Sequence, residues 1–247
     1  MILTYHEIVD QRTSYLYSVT RGQFESHLRL IRELSAEGTR PKELRPRVTF
    51  DDGHISNYEL ALPLLESQGI DATFFVTTDW VRGRRGFMNW SQLREISSLG
   101  HEVHSHGASH ELLTHCSSAQ LCDELQRSKQ DIEDALGVAV TAISVPGGRC
   151  DDRVLEACSR SGYRQVYVSE PTFRTRVVNH IEMSGRLMIR RTMTECTLRP
   201  YLLENASTLL MLHAKGTLKN LCRSLLGDEN YAKVWRVIAA KDEASYD

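Results

Sequence analysis

Two adjacent carboxylates, Asp51 and Asp52, close a short alternating run, Val48-Thr49-Phe50, and are followed by Gly53. Buried together, such charges lose their hydration at high cost unless a cation compensates. An acidic turn is the plainer reading, because Asp-Gly is a common turn pair. Downstream, His106-Gly107-Ala108-Ser109-His110 sets two imidazoles four residues apart, so both can face one point on a helical turn or tight loop. Two histidines and one carboxylate with an open position have the composition of a catalytic divalent-metal site. Only one aspartate is needed as ligand, which leaves the other as general base on metal-activated water, whose pKa falls toward ~7. Adjacent residues of an extended strand point to opposite sides, so the strand end must bend for both to reach one site.

Other residues invite chemistry less strongly. His101, His104 and His115 read as packing or surface histidines. The six cysteines at 116, 122, 150, 158, 196 and 222 are scattered, without the tight pairs of a structural zinc site. They fit reduced core positions of a cytoplasmic protein. The sequence as given opens without a basic, then apolar, leader and carries no run long enough to span a membrane, which again points to the cytoplasm. With 247 residues, 41% hydrophobic, 25% charged and a net charge of −2, the chain suits one α/β-barrel-sized unit. A pI of 6.6 leaves no basic field, and nucleic acid is an unsuitable partner.

The elements that must position these groups follow from hydrophobic periodicity. Residues 2–6 form an apolar strand ending in His6, and 10–20 a polar loop. Phe24, Leu28, Ile31 and Leu34 stripe a helix over 21–38, stopped by Gly38. A helix over 56–69 has Ser56 as N-cap and Gly69 as stop, with Pro63 as a kink. Residues 72–77 make a buried strand, and Ser91 caps a helix to Leu99. A strand at 101–106 precedes the histidine loop. Ser117 or Ser118 opens a helix to Gly137. A strand over 138–145 runs into Pro146-Gly147-Gly148, then come a helix at 151–162 and a strand at 164–169. Leu187 to Arg190 suggests one more strand, and 197–240 reads as helices broken by Gly216 and Gly227. Strands alternating with helices on short connections imply a parallel sheet, open or closed into a barrel, with chemistry where strands end. His6, Asp51, Asp52, His106, His110 and the Pro-Gly-Gly turn all fall at such ends.

Thr49-Phe50-Asp51-Asp52-Gly53 together with Gly100-His101-Glu102-Val103-His104-Ser105-His106-Gly107-Ala108-Ser109-His110 resembles the polysaccharide deacetylases of carbohydrate esterase family 4. Ala72-Thr73-Phe74-Phe75-Val76, Asn89-Trp90-Ser91-Gln92-Leu93 and Pro146-Gly147-Gly148-Arg149 agree with it, over roughly residues 1–171. The resemblance implies an α/β fold, a distorted (β/α) barrel of about seven parallel strands over 1–171, its last elements and a C-terminal helical extension occupying 172–247. It implies a hydrolase that removes N-acetyl groups from an amino-sugar glycan or its lipid-linked precursor by attack of metal-activated water. A related N-acyl or N-formyl amide hydrolase and a non-catalytic carbohydrate-binding homologue are the alternatives.

Carried over, Asp51 is the general base and Asp52, His106 and His110 hold one divalent ion, zinc first, with Co2+, Ni2+ or Mn2+ next. Gly147 and Pro146 serve the oxyanion, and Trp90, with Trp80 and Phe87, lines a sugar groove. The general acid is His6, which ends the first strand as in the poly-N-acetylglucosamine deacetylases. The late alternative, His213, lies in a helix-like basic segment. Two departures stand out. Gly107 occupies a position where the family has Ser or Thr, with Ser109 as a substitute. No Arg precedes Pro146 to orient the base, which leaves Arg149 or Arg164. The partner implied is an acetylated amino-sugar oligomer, polymer or lipid-linked sugar, and oligomeric state is not legible.

Overall fold

The computed structural model describes residues 1–36, 45–170 and 175–205, with 207, 208, 210–212 and 214 beyond them. The expected stop at Gly38, His213, Cys222, and the breaks at Gly216 and Gly227 lie outside the described residues. Ile2–Tyr5 (β1), Arg47–Phe50 (β4), Ala72–Val76 (β5), Glu102–Ser105 (β6), Ala142–Ser144 (β7) and Gln165–Val168 (β8) run parallel in that order. Ile181–Gly185 (β10) pairs with β8, and Leu187–Met188 (β11) pairs with β1. Only Arg186 separates β10 from β11, so one bent run joins the two edges and closes the barrel. Arg186 N–H bonds Val168 O on one side of the bend, and Ile189 N–H bonds Thr4 O on the other. Counting that run as one strand, the ring has seven parallel members, as expected. Arg176–Val178 (β9) adds an antiparallel strand outside it.

Alternation along the strands decides what faces the lumen. Tyr5 and Phe50 turn outward onto Phe24 of helix α1 (Arg21–Ser35), and Phe74 stacks on Phe50 at 4.9 Å. Thr4 and Thr49 meet inside at 3.0 Å, and Phe75 meets Tyr167 inside at 5.0 Å. His104 and Ala142 pack on the same Phe75, and two residues beyond Thr49, His104 and Ala142 come Asp51, His106 and Ser144. The period that fills the lumen thus also aims these three groups into its upper end.

Helix α1 begins at a capping box, Thr20 with Gln23, and buries the expected Phe24, Leu28, Ile31 and Leu34. Helix α5 (Ser118–Leu136) starts at Ser117 and ends at left-handed Gly137, again as expected. Other limits move. The loop at 10–20 contains a strand, Ser18–Thr20 (β3), paired with Glu7–Val9 (β2). Ser56 makes no cap, because its hydroxyl already serves Ile8 N–H and His54 Nδ1. Pro63 has no N–H for the carbonyl four residues back, and the chain widens into a π turn over Asn57–Ala61 before α2 (Leu62–Gln68). A short helix, Thr78–Val81 (α3), follows β5. Helix α4 (Trp90–Ser98) is capped by Asn89, not Ser91, since Asn89 accepts from Gln92 N–H. The strand expected over 138–145 is paired only at Ala142–Ser144. Helices Asp152–Arg160 (α6) and Glu195–Leu202 (α7) complete the described elements.

A buried histidine ties β1 to the segment before α7. His27 Nε2 must donate to the Met193 carbonyl at 2.9 Å, so Nδ1 is the lone pair that accepts Tyr5 Oη–H at 3.1 Å. Burial pushes the His27 pKa down from 6.5 to about 4, outweighing its acceptor at Met193. The unfolded ring binds a proton more readily than the folded one. The contribution is therefore complete above pH 6.5 and is lost as pH falls toward 4, on the order of 3 kcal/mol. Urea midpoints at pH 7 and 4.5 should converge in parent and His27→Gln as the pH drops. An identical pH slope in both proteins would rule this linkage out.

Candidate metal centre

Asp51 and Asp52 both reach the site because the chain turns sharply between them. Asp52 sits at φ 72° and Gly53 at 84°, two left-handed residues in succession. Asp52 tolerates this better than most L residues, at a cost of roughly 1–2 kcal/mol. His110 is likewise left-handed, at φ 70°. Strain of this kind persists where surrounding contacts enforce it. Here they do: His106 N–H bonds Val76 O, and the first amides of α3, Thr78 and Asp79, bond the carbonyls of Gly107 and Ala108.

Asp52 Oδ1 lies 3.3 Å from His106 Nε2 and 3.3 Å from His110 Nε2. The three candidate donor atoms fall within 4.8 Å of one another. His106 Nδ1–H donates to Ser144 O at 2.7 Å, which fixes the tautomer and turns the Nε2 lone pair inward. Asp52 Oδ1 is buried and has no hydrogen-bond partner. An orphaned carboxylate oxygen facing two imidazole nitrogens fits a divalent cation, and the donor set suits it chemically. Burial would raise the Asp52 pKa, but the facing imidazoles, where protonated, hold it well below the ordinary range.

Asp51 stands beside this set, its Oδ2 4.0 Å from His106 Nε2. Arg186 clamps it in bidentate fashion, Nη1 to Oδ1 at 2.8 Å and Nη2 to Oδ2 at 2.7 Å. Ser144 Oγ adds a bond to Oδ2 at 3.0 Å and accepts from Arg186 Nη2 at 2.6 Å. Burial opposes the charge on Asp51; the Arg186 guanidinium, with His106 and His6, outweighs it and holds the carboxyl below its usual range. The arginine that orients Asp51 is therefore Arg186, not Arg149 or Arg164. Arg164 precedes β8 and is exposed at the opposite end of the strand from the site.

Glu124 was not singled out by sequence either, although it shares the buried face of α5 with Leu121, Leu125 and Ile132. A carboxylate on an otherwise apolar stripe was the available signal. Its oxygens accept from Ala108 N–H, Ser109 N–H and Ser109 Oγ at 2.8, 3.0 and 2.6 Å, which braces the histidine loop. Gly107 now has a reason: its φ is +80°, and a Cβ there would stand 3.1 Å from Glu124 Oε2. Ser105 Oγ accepts from Gly107 N–H, and Pro146 packs against the same loop. Glu124→Gln should weaken zinc affinity about 10–100-fold in chelator competition, as loss of outer support does at other sites. Unchanged affinity would show the brace to be dispensable.

His6 ends β1 as expected, half-stacked on Tyr17 at 5.0 Å, with Nδ1 buried and unpartnered. Burial lowers its pKa, against the pull of Asp52 and Asp51. Gly147 adopts φ 65° in the Pro-Gly-Gly turn, where a Cβ would come within 2.6 Å of Leu112 Cδ2. Trp90 packs its ring against the hydrophobic core at the start of α4. The tryptophan beside the metal set is Trp80, stacked on His110 at 4.9 Å and followed by Phe87 at 4.7 Å.

Comparison with known proteins agrees with this geometry. The family described as polysaccharide deacetylase matches residues 40–166. YxkH of Bacillus subtilis, named for the same family, is 28% identical over 183 residues, covering 69% of this chain and 64% of its own. The poly-beta-1,6-N-acetyl-D-glucosamine N-deacetylase of Staphylococcus aureus is 27% identical over 175 residues, 60% of each chain. The chain thus spans less than two thirds of these relatives. The Streptococcus pyogenes deacetylase PplD, solved with acetate, superposes with a TM-score of 0.70 at 23% identity, over 81% of this chain and 96% of that one. It shares the fold.

Proposed function

As the chain belongs to the polysaccharide deacetylase family, we propose that it is a metal-dependent hydrolase that removes N-acetyl groups from an amino-sugar glycan, polymeric or lipid-linked. The observation that carries this reading is the convergence of Asp52, His106 and His110 beside an ionised Asp51 that none of them needs as ligand. The staphylococcal relative's name supplies the substrate class. Asp52, His106 and His110 would hold the ion, zinc by preference for two imidazoles and a carboxylate, with cobalt, nickel or manganese as substitutes. A divalent ion there supplies Lewis acidity toward the acyl oxygen and toward water.

The chain's own groups do the rest. Asp51, kept deprotonated by Arg186, accepts a proton from the entering water as its oxygen bonds the acetyl carbon. The N–H of Gly147, in the turn shaped by Pro146, stabilises charge on the acyl oxygen. As the carbon–nitrogen bond breaks, His6 gives a proton to the leaving sugar amine, and its lowered pKa makes the protonated ring a stronger acid. Acetate and a free amine result.

Metal analysis of protein purified without chelator tests the premise. The parent should carry about one divalent ion per chain, and Asp52→Ala and His106→Ala should carry none. Acetate should then appear from N-acetylglucosamine oligomers. A folded parent that takes up none of zinc, cobalt, nickel or manganese overturns the proposal.

A further inference from the structure

The rim of the site carries a cation that the deacetylation chemistry leaves unused. Arg84 lies in the exposed loop Arg82-Gly83-Arg84-Arg85-Gly86, which follows Trp80. Arg84 N–H bonds Trp80 O, Ile55 N–H bonds Gly86 O, and Met88 N–H bonds Gly53 O, so the chain leaving the loop is held along residues 53–55, next to the Asp-Asp-Gly turn. The Arg84 guanidinium lies 4.3 Å from the Trp80 ring centre and 4.9 Å from that of Phe87. Trp80 in turn stacks on the ligand candidate His110, so one ring separates the cation from the metal set.

Arg82, in the same loop, is paired with Asp131. Arg84 has no carboxylate partner among the described residues. Stacking on the rings neutralises none of the charge and leaves free the N–H fork, whose donors lie in the guanidinium plane. A fork placed on aromatic faces suits an oxyanion better than a neutral hydroxyl.

We propose that Arg84 is a specificity-determining residue that selects glycans bearing an oxyanion, carboxylate or phosphate, on a sugar adjoining the acetamido group under attack. This rests on the deacetylase reading above and narrows its substrate. A neutral sugar would offer the guanidinium hydroxyl acceptors only, with no charge to meet its own.

Three acetylated glucosamine pentamers separate the possibilities: the neutral form, one with a terminal phosphate monoester, and one with a carboxylate replacing a primary hydroxyl. In the parent, at least one anionic pentamer should exceed the neutral one about tenfold in kcat/KM, as a charged hydrogen bond provides. The better arm identifies which oxyanion is read. That ratio should shrink with added salt, fall to near unity in Arg84→Gln and be partly kept in Arg84→Lys. Equal rates on all three, or a preference that survives in Arg84→Gln, overturns the proposal while leaving the deacetylase reading intact. If no pentamer releases acetate, that reading is what fails. Calorimetric titration of the same sugars onto parent and Arg84→Gln then decides anion selection by the ratio of Kd values alone.

Discussion

Asp51→Asn should lower turnover about 10²–10⁴-fold while the protein still binds its full complement of metal, the range expected for losing a positioned base. The separation of the two effects follows from geometry. Asp51 is outside the converging donor set, and both its oxygens are taken by Arg186 and Ser144. Asparagine keeps the volume and one acceptor but cannot take a proton from water. It also points an amide at the guanidinium, so a drop in stability is expected alongside. Activity must therefore be compared below the unfolding range of both proteins, with metal content measured on the same samples. Turnover within tenfold of the parent would remove Asp51 from the role of base. Loss of metal together with turnover would make it a ligand.

How much of this site could be read beforehand depended on how local its parts are. Asp51-Asp52-Gly53 and His106 to His110 are short segments whose chemistry lies in the residues themselves, and the structure brings them together. Even the sharp turn was legible, because two neighbouring carboxylates cannot reach one point from an extended strand. Strands β5 and β6 and the cap at Ser117 were legible for the same reason. Trp80 and Trp90 are ten residues apart and look alike in sequence. Only the docking of α3, whose first amides bond the Gly107 and Ala108 carbonyls, puts the first beside His110, while α4 carries the second onto the core.

Arg186 was hidden for a different reason. Its partner is 135 residues earlier, and the two meet only because the run 181–188 bends and closes the ring. Alternation fades in that stretch, so sequence favoured nearer arginines. A lone charge between Gly185 and Leu187, inside a strand-like run, was the clue.

That position makes Arg186→Met a strongly damaging change for the fold. The side chain is wholly buried, and its guanidinium bonds Asp51 and Ser144 and lies 5.3 Å from the Phe75 ring centre. Removing one member of a buried pair strands the other's charge, at about 3–5 kcal/mol. In a chain of this size each kcal/mol moves Tm by about 2–4 °C, so a fall of roughly 6–20 °C is expected. The cost arises from Asp51 left unpaired, rather than from lost volume, because methionine retains most of the apolar stem. Asp51→Asn combined with Arg186→Met strands no charge. The double variant should therefore lose less stability than the two single losses added together, with a coupling in the range of about 0.5–3 kcal/mol seen for contacting residues. Simple additivity would mean that the clamp contributes nothing as a pair. Arg186 would then hold the barrel closed through its backbone bond to Val168 and its packing on Phe75, and Asp51 would owe its ionised state to some other neighbour.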